Sequence, residues 1–242
     1  MTLAARLSPL TLNSDTVAMA KHWSVIHFER YLRRQRFLML KSLLNPLQRP
    51  IRILDVGGTF DFWKIVEHDH LGEIHVTLLN VSAESNLPAN FCSVVGDGRC
   101  MKAFGPEDFD VVLSNSTIGH VGSFEDQKGM AQEIRRVGRR YFVQTPNYYF
   151  PVDWRTLVPF FHFLPIRQQA WWIYHLPVAP FGVAPFGRFS SFSDAVKWAS
   201  LVRNLTYREL ASLFPDSTIV REQLFGLTKS FMIYRGFERL IS

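Results

Sequence analysis

A chain of 242 residues that is 47% hydrophobic and 20% charged can bury one sizeable core, and it is too apolar to be disordered throughout. No stretch approaches the ~18 apolar residues that a membrane-spanning helix needs, which excludes a bundle of such helices. The formal net charge of +6 permits contact with nucleic acid or anionic lipid without requiring either, and the aromatic content of 14%, with 21 Phe, is the more informative excess.

Residues 1–20 are small and polar, contain Pro9, and read as a loose arm. They lack a basic start followed by an apolar block, so no secretory signal is expected and the cytoplasm is the expected compartment. Ser24 to Leu44 has neither proline nor glycine. Val25, Phe28, Tyr31, Leu32, Leu38, Leu43 and Leu44 fit one helical face, and Asn45-Pro46 ends the helix. Arg30, Arg33, Arg34 and Arg36 make it basic, which reads either as a solvated face or as a helix that covers a ligand or touches phosphate.

A regular alternation follows. Short apolar strands are expected at Ile51–Val56, Ile74–Leu79, Phe91–Val95, Phe109–Leu113 and Tyr141–Gln144, with a short helix at Asp61–His68. A longer helix is expected at Ser123–Val137, with Ser123 as N-cap and Gly138 as stop. Continuous β-branched runs alternating with helices predict an open, mostly parallel α/β sheet buried on both faces. Residues 148–205 interrupt the pattern with clusters of Phe, Trp, Tyr and Pro, and read as an inserted lid. Thr206 and Glu209 then form the pattern of a capping box on a helix ending near Pro215. Thr218–Leu224 and Phe231–Tyr234 predict an antiparallel hairpin turning at Gly226. The expected organisation is an N-terminal arm and helix over 1–50, as part of a cap, and a main domain over 51–242 that carries the insertion. Cys92 and Cys100 are too few for a disulfide framework and match no common zinc spacing, so they read as reduced thiols, with no metal expected.

In open α/β sheets ligands bind beyond the carboxyl ends of the strands. Here those ends carry Asp55-Val56-Gly57-Gly58-Thr59, Asn80, Asp97-Gly98, Asn115-Ser116 and Thr145-Pro146-Asn147. The first turn is neither Gly-x-Gly-x-x-Gly nor a P-loop, which disfavours dinucleotides and ATP.

Taken together, Ile51 to Thr59, Val76 to Asn80, Val94 to Gly98 and Phe109 to Ser116, with Ile118 and His120-Val121, resemble the core of class I S-adenosylmethionine-dependent methyltransferases. The resemblance covers residues 51–147 and, through the closing hairpin, 206–236. It implies a doubly wound, Rossmann-like seven-stranded sheet and S-adenosyl-L-methionine as cofactor, with S-adenosyl-L-homocysteine as product. Gly57 and Gly58 would pass beneath the methionine part, with Asp55 near its ammonium. Asn80 stands where the family usually has an acid gripping the ribose, a departure that implies weaker binding or another ribose partner. Asp97 would accept from the adenine amino group while Gly98 or Arg99 donates backbone N–H to the ring. Thr59, another departure, is expected beside these residues, with Val81, Asn115 and Ser116.

The implied reaction is methyl transfer to an oxygen or nitrogen of a small, apolar or aromatic acceptor. His120 is the candidate base, since an imidazole suits proton removal near neutral pH. The position before it, often Glu in similar enzymes, is Gly119. The competing role is a loop histidine packed on the cofactor. Tyr148, Tyr149, Asp153, Trp154 and His162 are the candidate acceptor-binding residues, with His162 and His175 as second choices for the base. The aromatic insertion reads as an acceptor pocket, a membrane-surface patch, or the core of the inserted helices. Rival functions are nucleic-acid methylation, disfavoured because Asn-Pro-Pro-Tyr does not follow strand four, and a non-catalytic cofactor-binding or membrane-surface protein. Monomer and homodimer are both compatible with the sequence.

Overall fold

A computed structural model of the chain describes residues 23–66, 71–153, 155–156, 158–175 and 189–237. They fall into two compact units, one built from residues 32–150 and 200–237, the other from residues 151–199 and the start of the first helix.

The larger unit contains seven strands: β1 (Ile51–Val56), β2 (Ile74–Asn80), β3 (Phe91–Val95), β4 (Val111–Asn115), β5 (Tyr141–Pro146), β6 (Thr218–Leu224) and β7 (Leu227–Arg235). Their order in the sheet is β3-β2-β1-β4-β5-β7-β6. Strands β1 to β5 pair in parallel, and β7 runs antiparallel between β5 and β6, as the sequence predicts for a doubly wound sheet closed by a hairpin.

Helices cover both faces. On one side α1 (Trp23–Leu44) buries Phe37, Leu40, Leu43 and Leu44 against Ile53, Val76, Leu113 and Phe142 of the sheet. On the other side α3 (Phe124–Val137) and α6 (Tyr207–Leu213) bury Met130, Ile134, Leu210 and Leu213 against Leu54, Val112, Val143 and Phe231. The interior strands are apolar on both faces because each face meets helices. Ser123 and Thr206 start α3 and α6 as capping boxes, with Asp126 and Glu209 returning the bond.

Two strands begin at a different residue from the sequence reading. Strand β4 begins at Val111 rather than Phe109, because Phe109 N–H donates to Val137 O and Asp110 N–H donates to Arg52 O before the ladder proper begins. Strand β7 begins at Leu227 rather than Phe231; its first residues are polar but paired, Ser230 standing opposite both Glu222 and Pro146. The short helix α2 spans Phe60–Ile65 and stops short of the expected end, and residues 67 and 68 of the expected helix lie outside the described residues.

The smaller unit contains α4 (Ile166–His175) and α5 (Phe192–Ala199), packed around Phe161, Ala170, Ile173, Ala195 and Ala199. No described helix is long and apolar enough to cross a membrane.

Candidate functional site

The sheet order reverses direction between β1 and β4, which lie side by side, and the crevice beyond their carboxyl ends is where such sheets bind ligands. A cavity of about 290 Å³ opens there. It is lined by Val56 and Gly57 after β1, Leu79, Asn80 and Val81 after β2, Gly96 to Arg99 after β3, and Thr117, His120 and Val121 after β4, with Met130 of α3 behind. Seven residues expected at a cofactor or base site are therefore together: Gly57, Asn80, Val81, Asp97, Gly98, Arg99 and His120. Thr117 and Met130 were not anticipated, whereas Val56, Leu79, Gly96 and Val121 stood in the motif stretches without being named as site residues; Thr117 lies only two residues past a strand end, the one signal that could have pointed to it.

The first turn is shaped by two contacts. Gly57 has φ +76, and a Cβ there would lie 2.2 Å from Thr117 Cγ2, so the backbone and the β4 loop meet only without a side chain. Gly58 lies over Asp55, whose Oδ2 would be 1.9 Å from a Cβ at that position. Asp55 is buried beneath the turn and is absent from the cavity lining. Its Oδ2 accepts from Trp63 Nε1 at 2.8 Å, while Oδ1 has no hydrogen-bond partner among the described residues. Burial raises the carboxyl pKa to about 7, against the Trp63 hydrogen bond, and the nearby charge of Glu84 adds to the rise. Both Glu84 oxygens accept from Phe60 N–H at 3.1 Å, so this carboxylate tops the first turn of α2. Thr59 is exposed and outside the lining.

Asn80 ties two strand ends together. Its Nδ2 donates to Gly58 O at 3.1 Å and its Oδ1 accepts from Val81 N–H at 3.2 Å. A primary amide has two donors and two acceptor lone pairs, so one of each remains for a ligand hydroxyl.

The third loop is organised by charge. Arg99 Nε lies 3.0 Å from both Asp97 oxygens and Nη2 lies 2.6 Å from Oδ2. Nη1 reaches Asp126 Oδ1 at 2.9 Å and Val121 O at 3.3 Å, joining the loop to the start of α3. The Arg99 hydrogen bonds hold the Asp97 carboxyl below the ordinary carboxylate range despite partial burial. The Arg99 N–H, one of the two expected to reach the adenine ring, donates to Asp97 Oδ1 at 2.9 Å.

His120 ends a 3₁₀ turn, Ile118–His120, that begins right after β4; its N–H donates to Thr117 O at 2.8 Å and its side chain is exposed. Asn115 and Ser116 turn elsewhere. Asn115 Oδ1 accepts from Arg36 Nη1 at 3.3 Å, and Ser116, with φ +64, donates to Gln144 Oε1 at 2.5 Å. Arg36 also pairs with Glu222 at 3.1 Å, and Lys229 Nζ and Ser230 Oγ donate to the same carboxylate. Burial opposes the Glu222 charge, but Arg36 and Lys229 outweigh it and keep the group below its usual range. Among the basic residues of α1, Arg36 thus anchors the helix to the sheet.

The acceptor-binding candidates divide between the units. Tyr148 and Tyr149 follow β5 in the larger one, with rings 5.2 Å apart edge to face, and Tyr149 is exposed. Asp153 and His162 belong to the smaller one. Asp153 is buried and accepts from the Arg155 backbone and guanidinium and from Thr156 N–H, so it fixes a turn. His162 sits against Phe163 with centroids 4.2 Å apart. Trp154 lies outside the described residues.

No family model matches the chain, and no curated protein does. Among the solved structures that resemble it along most of its length are the following three. A Nostoc punctiforme protein described as an O-methyltransferase is 14% identical, with 81% of this chain and 55% of that one covered and a TM-score of 0.47. This chain spans about half of that protein. A SAM-dependent methyltransferase of Methanosarcina mazei is 16% identical, with 78% and 93% covered and a TM-score of 0.46. A Rhodobacter sphaeroides protein described as a zinc-dependent alcohol dehydrogenase is 10% identical, with 80% and 86% covered and a TM-score of 0.49. At this level of likeness the fold rests on the chain's own strand order and the activity on its own residues.

Proposed function

We propose that this chain binds S-adenosyl-L-methionine in the cavity beyond β1 to β4 and methylates a small acceptor. The observation that carries this reading is the convergence of Gly57, Asn80, Asp97, Thr117 and His120 on one crevice at the point where the sheet order reverses. All-parallel dinucleotide folds run 3-2-1-4-5-6, whereas here an antiparallel strand enters between the fifth and sixth, as the sequence resemblance implies.

The donor set fits a sulfonium nucleoside. Leu79, Val81, Val121 and Met130 offer apolar surface for a purine, Asn80 has a free donor and acceptor at the end of β2 for ribose hydroxyls, and the anionic Asp97 can accept from an exocyclic amino group. When bound, the cofactor supplies an activated methyl group on sulfur. The protein's task is then to align the acceptor and take up its proton. Alignment can lower a barrier by up to about 7–11 kcal/mol. His120, which lines the cavity with Thr117, is the residue this reading assigns to accept the proton at an imidazole nitrogen. Tyr148 and Tyr149, just past β5, are suited to hold the acceptor.

Calorimetric titration with S-adenosylhomocysteine tests the reading. Saturable one-to-one binding that is lost in Gly57→Val supports it. Absence of binding to the wild-type chain at high protein concentration would sink it. Binding without turnover on any acceptor would favour a protein that only carries the cofactor.

A further inference from the structure

A second cavity, of about 470 Å³, opens in the larger unit and is lined by Tyr149, Thr206, Tyr207, Arg208 and Arg221. Its walls come from three elements, each held from behind. Tyr149 is fixed by its N–H on Asn147 Oδ1 at 3.1 Å, and Asn147 by its amide on Thr228 O at 2.7 Å. Tyr207 and Arg208 stand on the first turn of α6, which the Thr206–Glu209 box secures. Arg221 projects from β6, and its guanidinium lies 5.4 Å from the Tyr207 ring centroid, which in turn lies 5.9 Å from that of buried Phe231. This ladder of Phe231, Tyr207 and Arg221 pre-positions one guanidinium at the cavity wall.

The charge of this cavity is uncompensated. Arg99, Arg136, Arg203 and Arg235 each pair with a carboxylate, but among the described residues none pairs with Arg208 or Arg221. Two exposed tyrosines, Tyr149 and Tyr207, stand beside them. A carboxylate can be satisfied by a single guanidinium fork, whereas two guanidiniums and two phenols on separate elements offer more donors than it can accept. A phosphate monoester, with three terminal oxygens and nearly two negative charges at neutral pH, matches that set.

Position connects this cavity to the first. Arg221 is in register with Phe231 and Phe231 with Thr145, so the cavity stands level with the carboxyl end of β5. Phe231 and Met130 belong to the same core layer, so both cavities open on one rim and one face of the sheet. The geometry points to a binding site for a phosphate monoester, held by Arg208 and Arg221 between two tyrosine rings. Resting on the methyl-transfer reading, this phosphate is the anionic handle of the acceptor.

The test is a titration with phenyl phosphate at low ionic strength, followed by ligand-observed NMR, with benzoate as the carboxylate arm. The expected result is phenyl phosphate binding about tenfold tighter than benzoate. Arg221→Gln should weaken it about tenfold, the Arg208→Gln/Arg221→Gln pair should abolish it, and S-adenosylhomocysteine affinity should stay unchanged in both. Equal affinity for wild type and the double variant, or for phenyl phosphate and benzoate, overturns the site. A single-stranded RNA that displaces phenyl phosphate and needs both arginines overturns the small-molecule assignment. Failure of S-adenosylhomocysteine to bind the wild type strikes the methyl-transfer reading and the acceptor role, and leaves phosphate binding to be judged by its own titration.

Discussion

Asp97 and Arg99 close on each other within a single loop: three guanidinium contacts of 2.6–3.0 Å and one backbone N–H at 2.9 Å converge on one carboxylate. Arg99 then extends to Asp126 at the start of α3, so the loop after β3 is braced before any ligand arrives. Because Arg99 holds the Asp97 pKa low, the carboxylate keeps its charge to a lower pH than a free aspartate does. Affinity for S-adenosylhomocysteine should therefore show no Asp97-dependent loss between about pH 7 and pH 5. Asp97→Ala should weaken binding by about tenfold or more at both values, read by calorimetry. A wild-type affinity that collapses across this window while Asp97→Asn stays flat would refute the assignment.

The Gly57 backbone is both left-handed and in contact with Thr117, with φ +76 and a Cβ position 2.2 Å from Thr117 Cγ2. Gly57→Ala should destabilise the fold by roughly 1–3 kcal/mol from the backbone strain alone, with the clash added. Binding of S-adenosylhomocysteine should fall with it. Adding Thr117→Ser removes the Cγ2 contact without relieving the strained φ, so thermal unfolding should recover only in part. Full recovery would mean that the left-handed turn has no energetic weight.

His120 enters the cavity from a 3₁₀ turn that its backbone shares with Thr117. If it accepts the acceptor's proton, His120→Gln should lower kcat by ~10²–10⁴ and leave S-adenosylhomocysteine affinity within a few-fold. An unchanged kcat assigns it to packing. Measuring kcat and S-adenosylhomocysteine affinity on the same variant separates the two outcomes.

The strand ladder was legible because each interior strand is a continuous apolar run, and both caps because Ser123 stands just before a helical run and Thr206 stands three residues before an acid. The cavity residues at strand ends followed from the same logic. What escaped was decided by partners far away in sequence. Nothing near Asn80 indicates that its amide will hold the Gly58 carbonyl. The polar start of β7 fell outside the expected strand because Lys229 and Ser230 are hydrophilic, yet both are buried on Glu222. Asn115 and Ser116 stand at a strand end but point their polar groups to Arg36 and Gln144, a choice set by the helix and strand packed beside them.

Asp55 and Glu84 give the most direct test of how the first turn is held. Below about pH 4 Asp55 is protonated in folded and unfolded chains alike, and its contribution to stability is whole. As pH rises towards about 7 the unfolded carboxylate ionises while the buried one keeps its proton, so stability falls. Above about 7 the folded carboxylate ionises too and the loss levels off. The span sets an upper limit of about 4 kcal/mol. Asp55→Asn keeps an acceptor for Trp63 and does not titrate, so urea unfolding should show the variant gaining on the wild type between about pH 4 and pH 8. Glu84→Gln removes a negative charge that raises the Asp55 pKa, so the window should close at a lower pH. It also weakens the hydrogen bonds on Phe60 N–H, a cost of about 1 kcal/mol at all pH values. Parallel pH curves for wild type and Asp55→Asn would show that Asp55 titrates alike in the folded and unfolded chains, and would overturn the raised carboxyl.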